Sequence, residues 1–105
     1  MDPKATYDSM HELQILDVRE PFEWKMGHIE GSLHIPLREI PNRLDEIRGD
    51  RSLVAVCRSG SRSAEVTRFL RDRGFAIENL DGGLKAWSRH GLPVVSRSGR
   101  AGRVV

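Results

Sequence analysis

The stretch from Leu53 to Leu70 constrains the fold more than any other. Leu53-Val54-Ala55-Val56 is a short apolar run, of the length and composition of a buried strand. The polar loop Cys57-Arg58-Ser59-Gly60-Ser61-Arg62-Ser63 follows it. Ala64 to Leu70 then has helical spacing, with Val66, Phe69 and Leu70 as its apolar side. Strand, tight loop and helix in that order are the connection of an open α/β sheet. Ligands in such sheets bind at the carboxyl ends of the strands. The chain's only cysteine, Cys57, stands at that end.

Ser59, Gly60 and Ser61 suit a tight turn. Successive loop N–H groups can converge on an anion, and the following helix points its positive end at the same place. A thiolate is such an anion, so Cys57 is expected to ionise more readily than a free thiol. Arg58 and Arg62 add positive charge nearby. A small free cysteine is often an inert core residue, but two arginines within five residues are a poor wrapping for one. Cys57 is therefore the candidate nucleophile. Arg58, Ser59, Gly60, Ser61, Arg62 and Ser63 are the candidate anion cradle.

A chain of 105 residues makes one domain and can bury a core without staples. One cysteine excludes an internal disulfide and a multi-cysteine zinc site. It fits a cytoplasmic location, where a thiol stays reduced. No apolar run reaches transmembrane length, and Met1-Asp2-Pro3-Lys4 lacks the apolar segment of a signal peptide. The formal net charge of +2 is unevenly spread, with five basic residues and no acidic one from Gly82 onward. That excess lies in a tail and one loop, with no reader element, so neither nucleic acid nor a membrane is an expected partner. His11, His28, His34 and His90 are scattered, and no metal or other cofactor is expected. A compact monomer is the expected state.

Along the chain, Asp2-Pro3 reads as a cap and first turn of a short helix. Gln14 to Val18 reads as a strand. Asp17 and Arg19 leave it, and burying such charges costs free energy unless they are paired. An ion pair, or a carboxylate gripping loop amides, gives them a supporting role. Glu20 to Met26 is a short helix with Pro21 in its first turn and Phe22, Trp24 and Met26 as packing residues. His28 reads as a hydrogen-bonding histidine. Ser32 to Ile35 is a strand stopped by Pro36. Pro41 to Ile47 is a second short helix, with Ile40, Leu44 and Ile47 as its stripe. Phe75 to Leu80 is the last strand. Asp81-Gly82-Gly83 is a turned junction, and Leu84, Trp87 and Leu92 pack a final helix. Residues 1–95 thus form the domain. Residues 96–105 have no period and little apolar content, and are expected to be a mobile basic tail.

Strands alternating with helices, through connections too long for hairpins, predict a parallel sheet covered on both faces. Ordered this way, the motifs resemble a single-domain rhodanese of the sulfurtransferase superfamily. The matching segments are Leu16-Asp17-Val18-Arg19-Glu20, Glu23-Trp24, Gly27-His28-Ile29-Glu30-Gly31-Ser32 and Ile35-Pro36-Leu37. Val56 through Ser63, Leu80-Asp81-Gly82-Gly83-Leu84, Trp87 and Gly91-Leu92-Pro93 complete the set. The resemblance implies an open parallel α/β sheet flanked by short helices. The family often has an edge strand before its N-terminal helix. This chain begins almost at the helix, so four parallel strands are expected.

The resemblance also implies a reaction. Sulfane sulfur would pass from thiosulfate or another persulfide donor to a thiophilic acceptor through a Cys57 persulfide. The partners would be a small anionic sulfur donor and a thiol, cyanide or a sulfur-accepting protein. With no second cysteine, the acceptor must come from outside. One alternative is a sulfur-carrier or regulatory domain without turnover. Another is a cysteine-dependent phosphatase or arsenate reductase of the same superfamily. Those phosphatases place five residues between cysteine and arginine. Four separate Cys57 from Arg62, a cradle better suited to one sulfur atom.

Overall fold

Strand β3 (Ser52–Val56) has a hydrogen-bonded neighbour on each side and buried side chains from Leu53 to Val56. The computed structural model, which describes residues 1–105, sets it between β1 (Leu13–Asp17) and β4 (Ile77–Asn79). A two-residue strand β2 (Leu33–His34) lies beyond β1. All three pairings are parallel, and the order is β2-β1-β3-β4. Asp17 stands opposite both Val56 and His34. The carboxyl ends of three strands therefore meet at one edge. Helix α1 (Pro3–Asp8) opens the chain with no strand before it. The four-stranded parallel sheet flanked by short helices is the fold expected.

Alternation along the strands divides the core in two. Leu53, Ala55 and Cys57 join Leu16, Val18, Val66 and Leu70 on one face. Val54 and Val56 join Ile15, Leu80, Leu84 and Trp87 on the other. Each side chain of this size, fully buried, contributes about 1.5–3 kcal/mol. Helix α3 (Ser61–Arg71) covers the first face with Val66 and Leu70. Helix α4 (Gly83–Arg89) covers the second with Leu84 and Trp87. The indole N–H of Trp87 donates to Pro93 O at 2.9 Å. Asp2 caps α1, its carboxylate accepting from Ala5 N at 2.8 Å. Glu20 and Glu23 form a capping box at the start of α2 (Pro21–Met26).

The structure departs from the sequence reading in two places. The helix expected over Pro41 to Ile47 is replaced by two 3-10 turns, Leu37–Asn42 and Leu44–Glu46. The first of them begins before Pro41, whose missing N–H would leave the Leu37 carbonyl without its α-helical partner. The turns close over three residues instead, as in Arg43 N to Ile40 O and Ile47 N to Leu44 O, both 3.1 Å. Ile40 and Ile47 still reach the core. The second departure is at residues 96–105, which composition marks as a free tail. The chain turns back, and Val95 and His28 exchange backbone hydrogen bonds of 2.8 and 2.9 Å. Arg97 N then donates to Lys25 O, and Arg103 N to Met26 O, both at 2.9 Å. Gly27 leaves the room this needs, because a Cβ there would lie 2.3 Å from Arg103 O. These contacts are backbone to backbone, and side-chain composition carries no signal for them.

Asp17 and Arg19 are fully buried at the strand ends. The Asp17 carboxylate accepts from Arg19 Nε at 3.0 Å, Nη2 at 2.8 Å and the Arg19 backbone N–H at 3.0 Å. Arg19 Nη2 also donates to Gly27 O at 2.7 Å. The pair thereby joins β1 to the segment after α2. Removing one partner of such a pair leaves a buried charge unmatched. Asp17→Ala is expected to lose about 3–5 kcal/mol of stability. Replacing both by apolar residues, Asp17→Leu with Arg19→Met, should recover most of it. Urea denaturation followed by circular dichroism measures both; equal losses would deny that the pair acts as a unit.

Candidate functional site

The loop after β3 is held from below before it does any chemistry. The first turn of α4 approaches it closely, so Leu84 N donates to Cys57 O and Lys85 N to Arg58 O, both at 2.9 Å. Gly83 allows the approach. Its φ is +62°, and a Cβ there would sit 2.5 Å from Arg58 O. Gly60, at φ +108°, turns the loop back into α3. The Asp81-Gly82-Gly83 junction is thus part of the site's floor.

Three donors converge on the Cys57 sulfur. Gly60 N lies 3.1 Å from Sγ, Ser63 Oγ 3.2 Å and Ser63 N 3.4 Å. Cys57 itself is 1% exposed. Burial is the largest influence on its ionisation and pushes the thiol up. The Ser63 hydroxyl and the backbone N–H groups of Ser63, Gly60 and Ser59 together outweigh it, and hold the thiol below its ordinary value. Ser59 and Ser61 are exposed, and neither hydroxyl is among the donors to Sγ.

Asn79, at the end of β4, was not among the residues singled out from sequence. Its Nδ2 donates to Gly60 O at 2.9 Å, and its Oδ1 accepts from Ser63 Oγ at 2.5 Å. It ties both ends of the sulfur cradle to the sheet. The available signal was its position, a polar residue at the carboxyl end of a strand, on the same edge as Cys57.

Arg62 is not directed at the sulfur. Its two Nη atoms donate to the two carboxylate oxygens of Glu23, at 2.8 and 3.0 Å. The Arg62 hydrogen bond holds the Glu23 carboxyl below its usual range, and Glu23 in turn pushes the Arg62 guanidinium up. Glu23 also accepts from Glu20 N at 2.8 Å. It too was not singled out as a site residue, because from sequence it reads as part of a short helix and of the matching Glu23-Trp24 segment. Arg58 is exposed, and its Nε donates to Val105 O at 3.0 Å. Asp17 and Arg19 support the edge and make no hydrogen bond to Sγ. His28 Nδ1 donates to Trp24 O at 2.7 Å and its ring stacks on the Trp24 ring, while His34 Nε2 donates to Arg19 O at 2.8 Å. Both histidines have structural partners.

Fold and loop together define a class: parallel α/β domains built around one cysteine-bearing anion loop at the end of the central strand. The family model described as a rhodanese-like domain matches residues 2–90, and the chain belongs to that family. It is 42% identical over 89 residues to a protein of Allochromatium vinosum named as a sulfurtransferase, covering 84% of this chain and 83% of that one. It is 40% identical over 85 residues to the HTH-type transcriptional regulator Rv0324 of Mycobacterium tuberculosis, covering 79% of this chain and 38% of the regulator. A crystal structure of a rhodanese-related protein from Thermoplasma volcanium superposes with a TM-score of 0.88 at 34% identity, covering 90% of this chain and 95% of that one.

The geometry predicts the ionisation of Cys57. The thiolate absorbance, taken as a difference against Cys57→Ser, should rise with a midpoint below the free-thiol value of about 8.5. This spectroscopic titration does not need a reagent to reach a buried sulfur. Ser63→Ala removes the hydroxyl donor and should move the midpoint up. An unchanged midpoint in Ser63→Ala would deny the hydroxyl a part in holding the thiolate.

Proposed function

We propose that the protein is a sulfurtransferase that carries sulfane sulfur as a Cys57 persulfide. The convergence of Gly60 N–H, Ser63 N–H and Ser63 O–H on a buried Sγ carries this reading. In the first half-reaction the Cys57 thiolate attacks the outer sulfur of thiosulfate. A new S–S bond forms to Sγ while the old one breaks, and sulfite leaves with the electron pair. In the second, an acceptor thiolate or cyanide attacks the outer sulfur of the persulfide. The Sγ–S bond breaks, and Sγ departs as the thiolate it began as.

Burial favours sulfur over phosphorus as the atom attacked. Cys57 is 1% exposed, and its Sγ is already surrounded by the loop donors. A terminal sulfur is unbranched and can approach end-on. A phosphoryl group would have to bring its equatorial oxygens into the same space. The four-residue interval between Cys57 and Arg62 points the same way. The relative named as a sulfurtransferase, with which this chain shares most of its length, supports the assignment. The match to part of a transcriptional regulator favours a second reading, a sulfur-sensing domain that is loaded but not turned over.

Intact-protein mass spectrometry separates these readings. Protein stripped of sulfur and mixed with thiosulfate should gain one sulfur atom at Cys57 and release one equivalent of sulfite. Cyanide or an acceptor thiol should return it to its starting mass. Cys57→Ser should fold and do neither, since a serine hydroxyl without a base is a poor nucleophile. Loading without discharge would select the sensing reading. No loading by thiosulfate, mercaptopyruvate, glutathione persulfide or polysulfide would overturn both.

A further inference from the structure

The Glu23–Arg62 pair lies beside Cys57 and has a consequence for which sulfur donors the site accepts. The Glu23 side chain is 8% exposed, and that of Arg62 is 34% exposed. Glu23 takes both ends of the guanidinium fork, so the group best shaped to grip an oxyanion is already bound to a carboxylate. The charges of Cys57 and Asp17 act on Arg62, and the charge of Arg19 acts on Glu23, so these groups share one electrostatic neighbourhood. Among these paired groups the formal charges cancel, while exposed Arg58, the residue after Cys57, pairs with no carboxylate side chain. Arg62 faces Glu23, Arg19 faces Asp17, and the sulfur's own negative charge is left over.

We propose that Glu23 is a specificity-determining residue. By occupying Arg62 it cancels one positive charge beside Cys57, and so disfavours doubly charged sulfur donors relative to singly charged ones. This rests on the sulfur-transfer reading and adds the class of donor. Glu23 is a positioning residue that acts through Arg62. It touches neither Sγ nor the transferred sulfur.

Two donors isolate the charge. Methanethiosulfonate replaces one thiosulfate oxygen by a methyl group, carries one charge fewer, and offers the same terminal sulfur. Glu23→Gln keeps the side chain's shape, and its amide oxygen can still accept from Glu20 N–H. It frees Arg62 and adds one positive charge to the site. The ratio of kcat/KM for thiosulfate to that for methanethiosulfonate is expected to rise about 5-fold in Glu23→Gln. It should fall in Arg62→Gln, which leaves Glu23 unmatched, and return near the wild-type ratio in the double variant. The rise should shrink with added salt. Any shift in Cys57 ionisation cancels in the ratio. Equal losses on both donors, or an unchanged ratio, would overturn the proposal and leave Glu23 a scaffold residue. The relative rates of Cys57 alkylation by iodoacetate and neutral iodoacetamide read the same charge without sulfur transfer. If no donor loads the protein but the alkylation ratio rises in Glu23→Gln, the sulfur-transfer reading fails and the charge assignment stands. If neither ratio moves, the charge assignment fails.

Discussion

A sulfur atom withdrawn from water is nonetheless shifted toward its charged form, and much of the structure follows from that requirement. Burying a charge is unfavourable unless hydrogen bonds replace the lost water. A hydrogen bond to a charged group is worth about 1.5–3 kcal/mol, so several must converge to outweigh burial. Here they come from one seven-residue loop. The loop must turn sharply, which Gly60 allows at φ +108°. Its base must be fixed, which α4 does through the carbonyls of Cys57 and Arg58. That contact demands Gly83, where any side chain would strike the loop's backbone. One electrostatic condition at Sγ therefore reaches a glycine more than twenty residues away.

The same edge carries two guanidinium–carboxylate pairs, and they differ in burial. Asp17–Arg19 is sealed from solvent and joins β1 to Gly27. Arg19 Nη1 is buried without a partner, so the pair does not satisfy every donor it brings inside. Such a pair is costly to break and gives little net stability over an apolar replacement. Its use is to fix the strand ends against the loop. Glu23–Arg62 stands at the rim, where the guanidinium is partly in water and the carboxylate is not. The carboxylate is already spoken for by the α2 capping box. Helix capping and charge neutralisation are thus one interaction seen from two sides.

The fold was legible because its signals are local. Four apolar runs, each followed by a break and a helical stripe, leave few arrangements besides a parallel sheet. Cys57 was legible because a polar loop at a strand end has little other use. Pro41 misled the reading of residues 41–47, since proline suits the first turn of an α-helix but here sits inside a 3-10 segment that begins at Leu37. The partners of Arg62 and Ser63 were out of reach for a different reason. Glu23 lies 39 positions from Arg62 and Asn79 lies 16 from Ser63. Such pairings depend on how layers stack, and neither periodicity nor turn chemistry encodes that. The path of residues 96–105 was invisible because mostly backbone amides hold it, with Val104 against the second core cluster and the Arg58 side chain on Val105 O adding contacts that no local pattern announces.

Ser63 shows why the distant partner matters. Its hydroxyl carries one hydrogen and meets two acceptors, Asn79 Oδ1 at 2.5 Å and Cys57 Sγ at 3.2 Å. The shorter bond wins the hydrogen while the thiol is protonated, and the Ser63 lone pair then faces the S–H. Once the proton has left, the hydroxyl must choose between the amide oxygen and a full negative charge. The N–H groups of Gly60 and Ser63 have no such choice, because each carries its hydrogen fixed by the backbone. They form the permanent part of the cradle, and the hydroxyl is the adjustable part. On the sulfur-transfer reading this division suits the chemistry. Loading moves the negative charge outward by one atom, from Sγ to the terminal sulfur. Sγ then needs fewer donors, and Ser63 can return to Asn79 without leaving a polar group unsatisfied. Discharge brings the charge back to Sγ, where the fixed N–H groups are waiting for the departing thiolate.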